Sequence, residues 1–171
     1  MNPDLFWIPG PWRGRLAVAT RPRGGDWLDD ETSGWRRAGL DLVVSLLESE
    51  EAAQLDLVQE AGVAKSKGID FISFPIPDRG VPASMPAALS LLRKIANALD
   101  EGKNVAVHCR QGIGRSGSIA AGVLVTSGIE VEKAIEVVSS ARGQIIPETP
   151  AQLQWIRRLP SERLVTTTVD R

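Results

Sequence analysis

The stretch from Asn104 to Val125 restricts the fold more than any other. The run Asn104-Val105-Ala106-Val107 is short, apolar and β-branched, which reads as a buried strand. Ile119-Ala120-Ala121-Gly122-Val123-Leu124-Val125 reads as a buried helix ending at Gly128. Between them lies His108-Cys109-Arg110-Gln111-Gly112-Ile113-Gly114-Arg115-Ser116-Gly117, which holds the only histidine and the only cysteine of the chain. A strand that turns through a glycine-containing loop into a helix N-terminus aims successive backbone N–H groups and the helix dipole at one spot, where an anion is favoured. The same field favours a thiolate, because cysteines at helix N-termini and beside cations ionise more readily. Arg115 adds a planar fork that can take two oxygens of a phosphate at once. Taken alone, a reactive cysteine on an anion-binding turn leaves sulfur transfer, reduction and phosphoryl transfer all open.

The rest of the chain sets this turn in an alternating pattern. Arg15 to Ala19 predicts a first strand, Asp26 to Ala38 a helix stopped by Gly39, and Asp41 to Leu47 a buried strand. Glu48 to Gly68 has helical spacing in two pieces with Gly62 as the interruption, and Ile69 to Phe74 is the next strand. Ser84 is placed to cap a long helix through Met85, Leu89, Leu92, Ile95, Ala96 and Leu99 that Gly102 ends. Two more helices follow, from about Val131 to Arg142 and from Thr149 to Leu159. Phe6, Trp7 and Trp12 are expected to cover the core. This alternation predicts one α/β domain over residues 1–171, its central sheet largely parallel and flanked by helices on both faces. The core is expected at about 15–159, with 160–171 as a frayed tail. The active site of such a sheet lies beyond the C-terminal ends of its strands, where Cys109 and Asp78 both fall.

Composition removes several classes of function. A net charge of −1 over 171 residues gives no support for broad electrostatic binding to nucleic acid or anionic membranes. One cysteine excludes an internal disulfide, and one histidine leaves no zinc-ligand cluster, so no metal and no cofactor is expected. The segment Met1-Asn2-Pro3-Asp4-Leu5 has no basic region leading into an apolar one, and no apolar run approaches membrane-spanning length. A cytoplasmic monomer is the expectation.

Phosphoryl transfer to Cys109 needs an acid to protonate the departing oxygen. Asp78 follows a strand and sits in the turn-rich Pro75-Ile76-Pro77-Asp78-Arg79-Gly80-Val81-Pro82, able to close over the site. By itself it also suits an ordinary turn aspartate. Ser116 can hydrogen-bond the cysteine sulfur and stabilise the thiolate as it leaves, or else satisfy its own helix's first turn. His108 ends a strand and should point away from the pocket, supporting the loop rather than acting as a base.

His108-Cys109-x5-Arg115-Ser116 resembles the signature of the cysteine-dependent protein tyrosine phosphatase superfamily. The Pro77-Asp78 loop resembles the acid loop of its dual-specificity branch, and Phe74 to Pro82 is most like the cyclin-dependent kinase-associated phosphatase-type members. The similarity runs from about Leu42 to Trp155 and takes in Glu148-Thr149 and Gln152. The resemblance implies a metal-free, two-step hydrolysis of phosphomonoesters, chiefly phosphotyrosine and also phosphoserine or phosphothreonine in proteins or peptides. Cys109 would be the nucleophile and Asp78 the acid and then the base. Arg110, Gln111, Gly112, Ile113, Gly114 and Arg115 would bind the phosphate. Gln152 resembles a family residue that orients the hydrolytic water.

Four alternatives are weighed against this reading. Inositol-lipid phosphatases tend to carry lysines inside the loop, where this chain has Arg110, Gln111 and Ile113; a phosphoinositide or RNA 5′-phosphatase stands as the second choice. Sulfur transferases of the rhodanese kind usually have a loop one residue shorter. Low-molecular-weight phosphatases carry the signature near the N-terminus with the acid downstream. A phosphoprotein-binding module would be expected to lack the nucleophile, the arginine or the acid. With no tyrosine in the chain, a tyrosine-walled slot for phosphotyrosine is absent, which leans toward a more permissive site.

Overall fold

The computed structural model describes residues 4–169, with residues 163–169 described by backbone alone. Five strands, β1 (Leu5–Ile8), β2 (Leu16–Ala19), β3 (Leu42–Ser45), β4 (Asp70–Ser73) and β5 (Val105–His108), form one sheet in the order β1-β2-β5-β3-β4. β1 pairs antiparallel with β2, and the other pairings are parallel. β5 is therefore central, with His108 in register with Ala19 on one side and Ser45 on the other.

Period-two alternation divides the apolar residues between two faces. Leu16, Val18, Leu42, Val44, Val105 and Val107 enter the larger core. That core is completed by α4 (Met85–Asp100), α5 (Arg115–Thr126), α6 (Val131–Arg142) and α7 (Pro150–Val169). Ala17, Val43 and Ala106 face the other way, onto Trp35 of α1 (Leu28–Arg37) and Ala64 of α3 (Glu60–Ser66). Each fully buried valine or leucine contributes about 1.5–3 kcal/mol relative to exposure, so a one-residue slip of β5 would be strongly disfavoured. The result is a single α/β domain in which Cys109 directly follows the central strand.

Three local expectations are corrected. Leu5 to Ile8 forms an edge strand, because its backbone pairs residue for residue with Ala19 to Leu16. The break between α2 (Ser49–Gln54) and α3 falls at residues 55–59, where Asp56 adopts φ 57° and its carbonyl accepts from the Gly25 N–H at 3.0 Å. Gly62 lies inside α3 instead. The expected frayed tail is helical to Val169, with Pro160 inside α7. Pro160 removes the N–H that would reach the Ile156 carbonyl and its ring crowds that carbonyl, yet α7 continues through it. Residues 170 and 171, the end of that tail, and residues 1–3 lie outside the described residues. Among the described residues no helix is long and apolar enough to cross a membrane.

Candidate active site

Beyond the C-terminal ends of β5 and β3, a cavity of about 180 Å³ is lined by Asp78, Arg79, Cys109, Arg110, Gln111, Gly114, Arg115 and Glu148. The loop after β5 wraps around the Cys109 sulfur. The Gly112 N–H donates to Sγ at 3.3 Å, and the Ser116 hydroxyl lies 3.2 Å from it. Gly112 has φ 72°, and a Cβ there would stand 2.8 Å from the Ala19 carbonyl oxygen, so both backbone and space demand glycine. A Cβ on Gly114 would press on the Glu148 and Gln152 side chains. Burial pushes the Cys109 thiol up, but bonds from the Ser116 hydroxyl and backbone, the Gly112 N–H and the Arg115 charge hold it below its ordinary value.

Arg115 opens α5, and its side chain is 2% exposed. Glu51 on α2 grips it bidentately, Oε1 on Nη1 at 2.6 Å and Oε2 on Nη2 at 3.0 Å, while Nη1 also donates to the Ile76 carbonyl at 2.9 Å. Both Nη1 hydrogens and one on Nη2 are thus engaged. Nε–H and the second Nη2–H remain, the side of the fork that matches two oxygens of a phosphate. Asp78 Oδ1 lies 3.3 Å from Nη2, so the candidate acid stands beside the candidate anion clamp. The hydrogen bond from Arg115 holds the Glu51 carboxyl below its usual range, against burial. Burial pushes the Arg115 guanidinium down, and the Glu51 bond with the Cys109 and Asp78 charges more than reverses this.

Asp78 stands in a tight turn closed by the Gly80 N–H donating to the Pro77 carbonyl at 2.8 Å. Arg79 takes the left-handed position of that turn, φ 62°, which a type II turn requires and a non-glycine residue adopts at a cost of about 1–2 kcal/mol. Three contacts to the start of α7 hold it there. Arg79 pairs with Glu148 at 3.0 Å, the Thr149 hydroxyl donates to the Arg79 carbonyl at 3.4 Å, and Gln152 Nε2 donates to the Gly80 carbonyl at 3.2 Å. Gln152 Oε1 accepts the Glu148 and Thr149 N–H groups, each at 3.1 Å.

The fold thus brings together Asp78, Cys109, Arg115 and Ser116, with Arg110, Gln111, Gly112 and Gly114 around them. Ile113 packs against the main core. Gln152 is fully buried behind the turn that carries Asp78, bonded to backbone on both sides. His108 lies on the opposite face of the sheet, its ring 6.1 Å from that of Trp35. Its Nδ1 meets the Cys109 carbonyl at 3.1 Å and its Nε2 meets Glu60 Oε1 at 2.5 Å. Burial pushes His108 down, but the adjacent Glu60 carboxylate overrides this and raises it.

Glu51 and Glu60 escape the reading of the sequence. For Glu51 a signal exists: it stands three residues after Glu48 at the start of α2, and its Oε1 also accepts the Glu48 N–H at 3.1 Å, in capping-box fashion. A carboxylate fixed at the first turn after the C-terminal end of β3 is aimed at the loop end of the sheet. Trp7 and Trp12 stand apart from the site, Trp7 beneath the Arg15 guanidinium and Trp12 donating to Ser127 Oγ at 2.8 Å.

Comparison with known proteins gives the family and the fold. Residues 18–129 match a family model described as polymorphic toxin system, DSP-PTPase phosphatase. Over 91 residues the chain is 40% identical to protein tyrosine phosphatase domain-containing protein 1 of Danio rerio, a match that covers 53% of this chain and 12% of that protein. Kinase-associated phosphatase, in a form with its catalytic-site cysteine replaced by serine, superposes with a TM-score of 0.86 at 17% identity over 96% of this chain and 97% of that one. The active form of the phosphatase Tk-PTP superposes with a TM-score of 0.77 at 30% identity, over 93% of this chain and 97% of that one.

Proposed function

The chain belongs to the DSP-PTPase phosphatase family, and on that premise we propose that it hydrolyses phosphomonoesters on proteins or peptides through a phosphocysteine intermediate. The observation that carries this reading is the Cys109 sulfur, held below its ordinary pKa in one cavity with the Arg115 fork and Asp78.

In the first step the Cys109 thiolate attacks phosphorus while the free side of the Arg115 fork and the loop N–H groups hold the non-bridging oxygens. The S–P bond forms as the P–O bond to the leaving group breaks, and protonated Asp78 gives its proton to the departing oxygen. In the second step water attacks phosphorus and Asp78 takes a proton from it. The S–P bond breaks, releasing phosphate, and the Ser116 hydroxyl donates to the returning thiolate. Charge that develops on the phosphoryl oxygens meets donors already fixed by Glu51 and by the loop, which is where preorganised electrostatics act most strongly.

Among the described residues no aromatic side chain lines the cavity, and Asp78, Arg79, Arg110 and Glu148 give its mouth both signs of charge. Such a mouth favours acceptance of phosphoserine and phosphothreonine beside phosphotyrosine. Gln152 is bonded to the acid loop by Nε2 and to the start of α7 by Oε1. Its part in the second step is to hold Asp78 over the phosphocysteine.

Hydrolysis of p-nitrophenyl phosphate tests the reading. The chain should turn it over without added metal and with no loss on adding EDTA. Cys109→Ser should reduce the rate to background. Undiminished hydrolysis by that variant would overturn the mechanism.

A further inference from the structure

One cation close to the cavity takes no part in the steps above. Arg142, the last residue of α6, reaches the outer side of the loop after β5. Its Nε donates to the Gly112 carbonyl at 2.8 Å and its Nη2 to the Gln111 carbonyl at 3.1 Å. The guanidinium carbon lies 4.1 Å from the centre of the Phe6 ring, so β1 supplies a floor beneath the fork.

A trans peptide sends its C=O and its N–H in opposite directions. The peptide whose oxygen Nη2 holds is the one whose N–H, on Gly112, donates to the Cys109 sulfur at 3.3 Å. The next peptide, held by Nε through the Gly112 oxygen, must direct the Ile113 N–H away from Arg142 and into the cradle. Without an outside donor, a loop whose Gly112 sits at φ 72° is free to rotate these peptides and turn carbonyl oxygens toward the sulfur.

We propose that Arg142 is a positioning residue for the phosphate-binding loop: gripping two successive carbonyls from outside and resting on Phe6, it keeps their peptide N–H groups turned toward the Cys109 sulfur and the bound phosphate. The phosphate half of the proposal rests on the phosphatase reading; the sulfur half does not.

The test is therefore alkylation of Cys109 by iodoacetamide across pH, which reads the thiolate without any turnover, together with inhibition by inorganic phosphate. Arg142→Met keeps the aliphatic stem and removes the fork. It should move the alkylation midpoint up by about one pH unit, the effect of losing one hydrogen bond to a charged atom, and weaken phosphate inhibition about tenfold. Arg142→Lys keeps the charge but offers no fork, and should recover only part of both. Phe6→Leu removes the ring and leaves the donors, so a smaller shift in the same direction keeps the test available should Arg142→Met not fold. Arg157→Ala breaks the 3.0 Å surface pair between α7 and Glu132 of α6, the helix that carries Arg142, and serves as the control for general destabilisation. An unmoved midpoint in Arg142→Met and Phe6→Leu, or an equal shift in Arg157→Ala, would overturn the proposal. A shifted midpoint in a chain that hydrolyses no phosphomonoester would uphold the clamp on the sulfur and defeat the phosphatase reading.

Discussion

Glu51 and Glu60 come from adjacent helices, both buried, and each holds a residue that flanks the loop carrying Cys109, Arg115 at the start of α5 and His108 at the end of β5. Glu51 grips Arg115, after the cysteine, with two hydrogen bonds; Glu60 meets His108, before it, on the far face of the sheet. The partner of Glu51 keeps its charge at every physiological pH and turns its free side to the cavity. The partner of Glu60 can lose its proton and touches only protein. Two carboxylates in similar burial thus serve different ends, the one aiming a cation into the cavity and the other anchoring the strand that precedes Cys109.

The largest expected effect separates these roles. Glu51→Gln leaves the Arg115 charge buried with its fork unfixed. It should lower stability by about 3 kcal/mol and kcat/KM about a hundredfold, read by denaturant titration and by p-nitrophenyl phosphate turnover. Glu60→Gln should lower stability by about 1–3 kcal/mol while changing kcat/KM less than about tenfold. Equal losses of activity in the two variants would erase the distinction.

Asp78→Asn should cost little stability, since Asp78 is 59% exposed, and should slow phenyl phosphate about a hundredfold. With a leaving group that needs no proton, such as 2,4-dinitrophenolate, the loss should shrink to a few-fold. A uniform loss across leaving groups would remove Asp78 from the role of acid.

The smallest effect is one of pH. The His108 pKa is raised in the folded chain, so its pair with Glu60 contributes stability that is complete below the ordinary histidine range and is lost as pH rises through the raised value. The Glu51 pKa is lowered, so its contribution is complete above the ordinary carboxylate range and is lost as pH falls through the lowered value. The Tm gap between wild type and Glu60→Gln should therefore be widest at mildly acidic pH and narrow toward alkaline pH. The gap to Glu51→Gln should hold through neutrality and narrow only in acid. Reversed slopes would mean the two charge assignments are exchanged.

What could be read from the sequence was what local pattern carries. Val105 to Val107 alternate with Ala106 between two cores, and Gly112 stands where only glycine fits, so strand, loop and helix follow from neighbouring residues. The same holds for Ser84, whose hydroxyl accepts the Ala87 N–H at 3.2 Å as a cap. Pairing across the chain was not readable. Glu51 meets Arg115 over 64 positions and Glu60 meets His108 over 48, and no periodicity links them. β1 was missed because a four-residue run between prolines becomes a strand only by pairing with β2. The helical course past Pro160 runs against the local signal, since an internal proline disfavours a helix, and it follows a turn anchored by Trp155, Ile156 and Leu159 in the core.

The central claim is that phosphate passes through Cys109. Acid quenching during turnover of p-nitrophenyl phosphate, followed by peptide mass spectrometry, tests it most directly. A phosphoryl group should appear on the peptide that contains Cys109. It should accumulate further in Ser116→Ala, where the returning thiolate loses its hydroxyl donor 3.2 Å away. Turnover that continues with Cys109 unmodified in both proteins, or a phosphoryl group on another residue, would contradict the account.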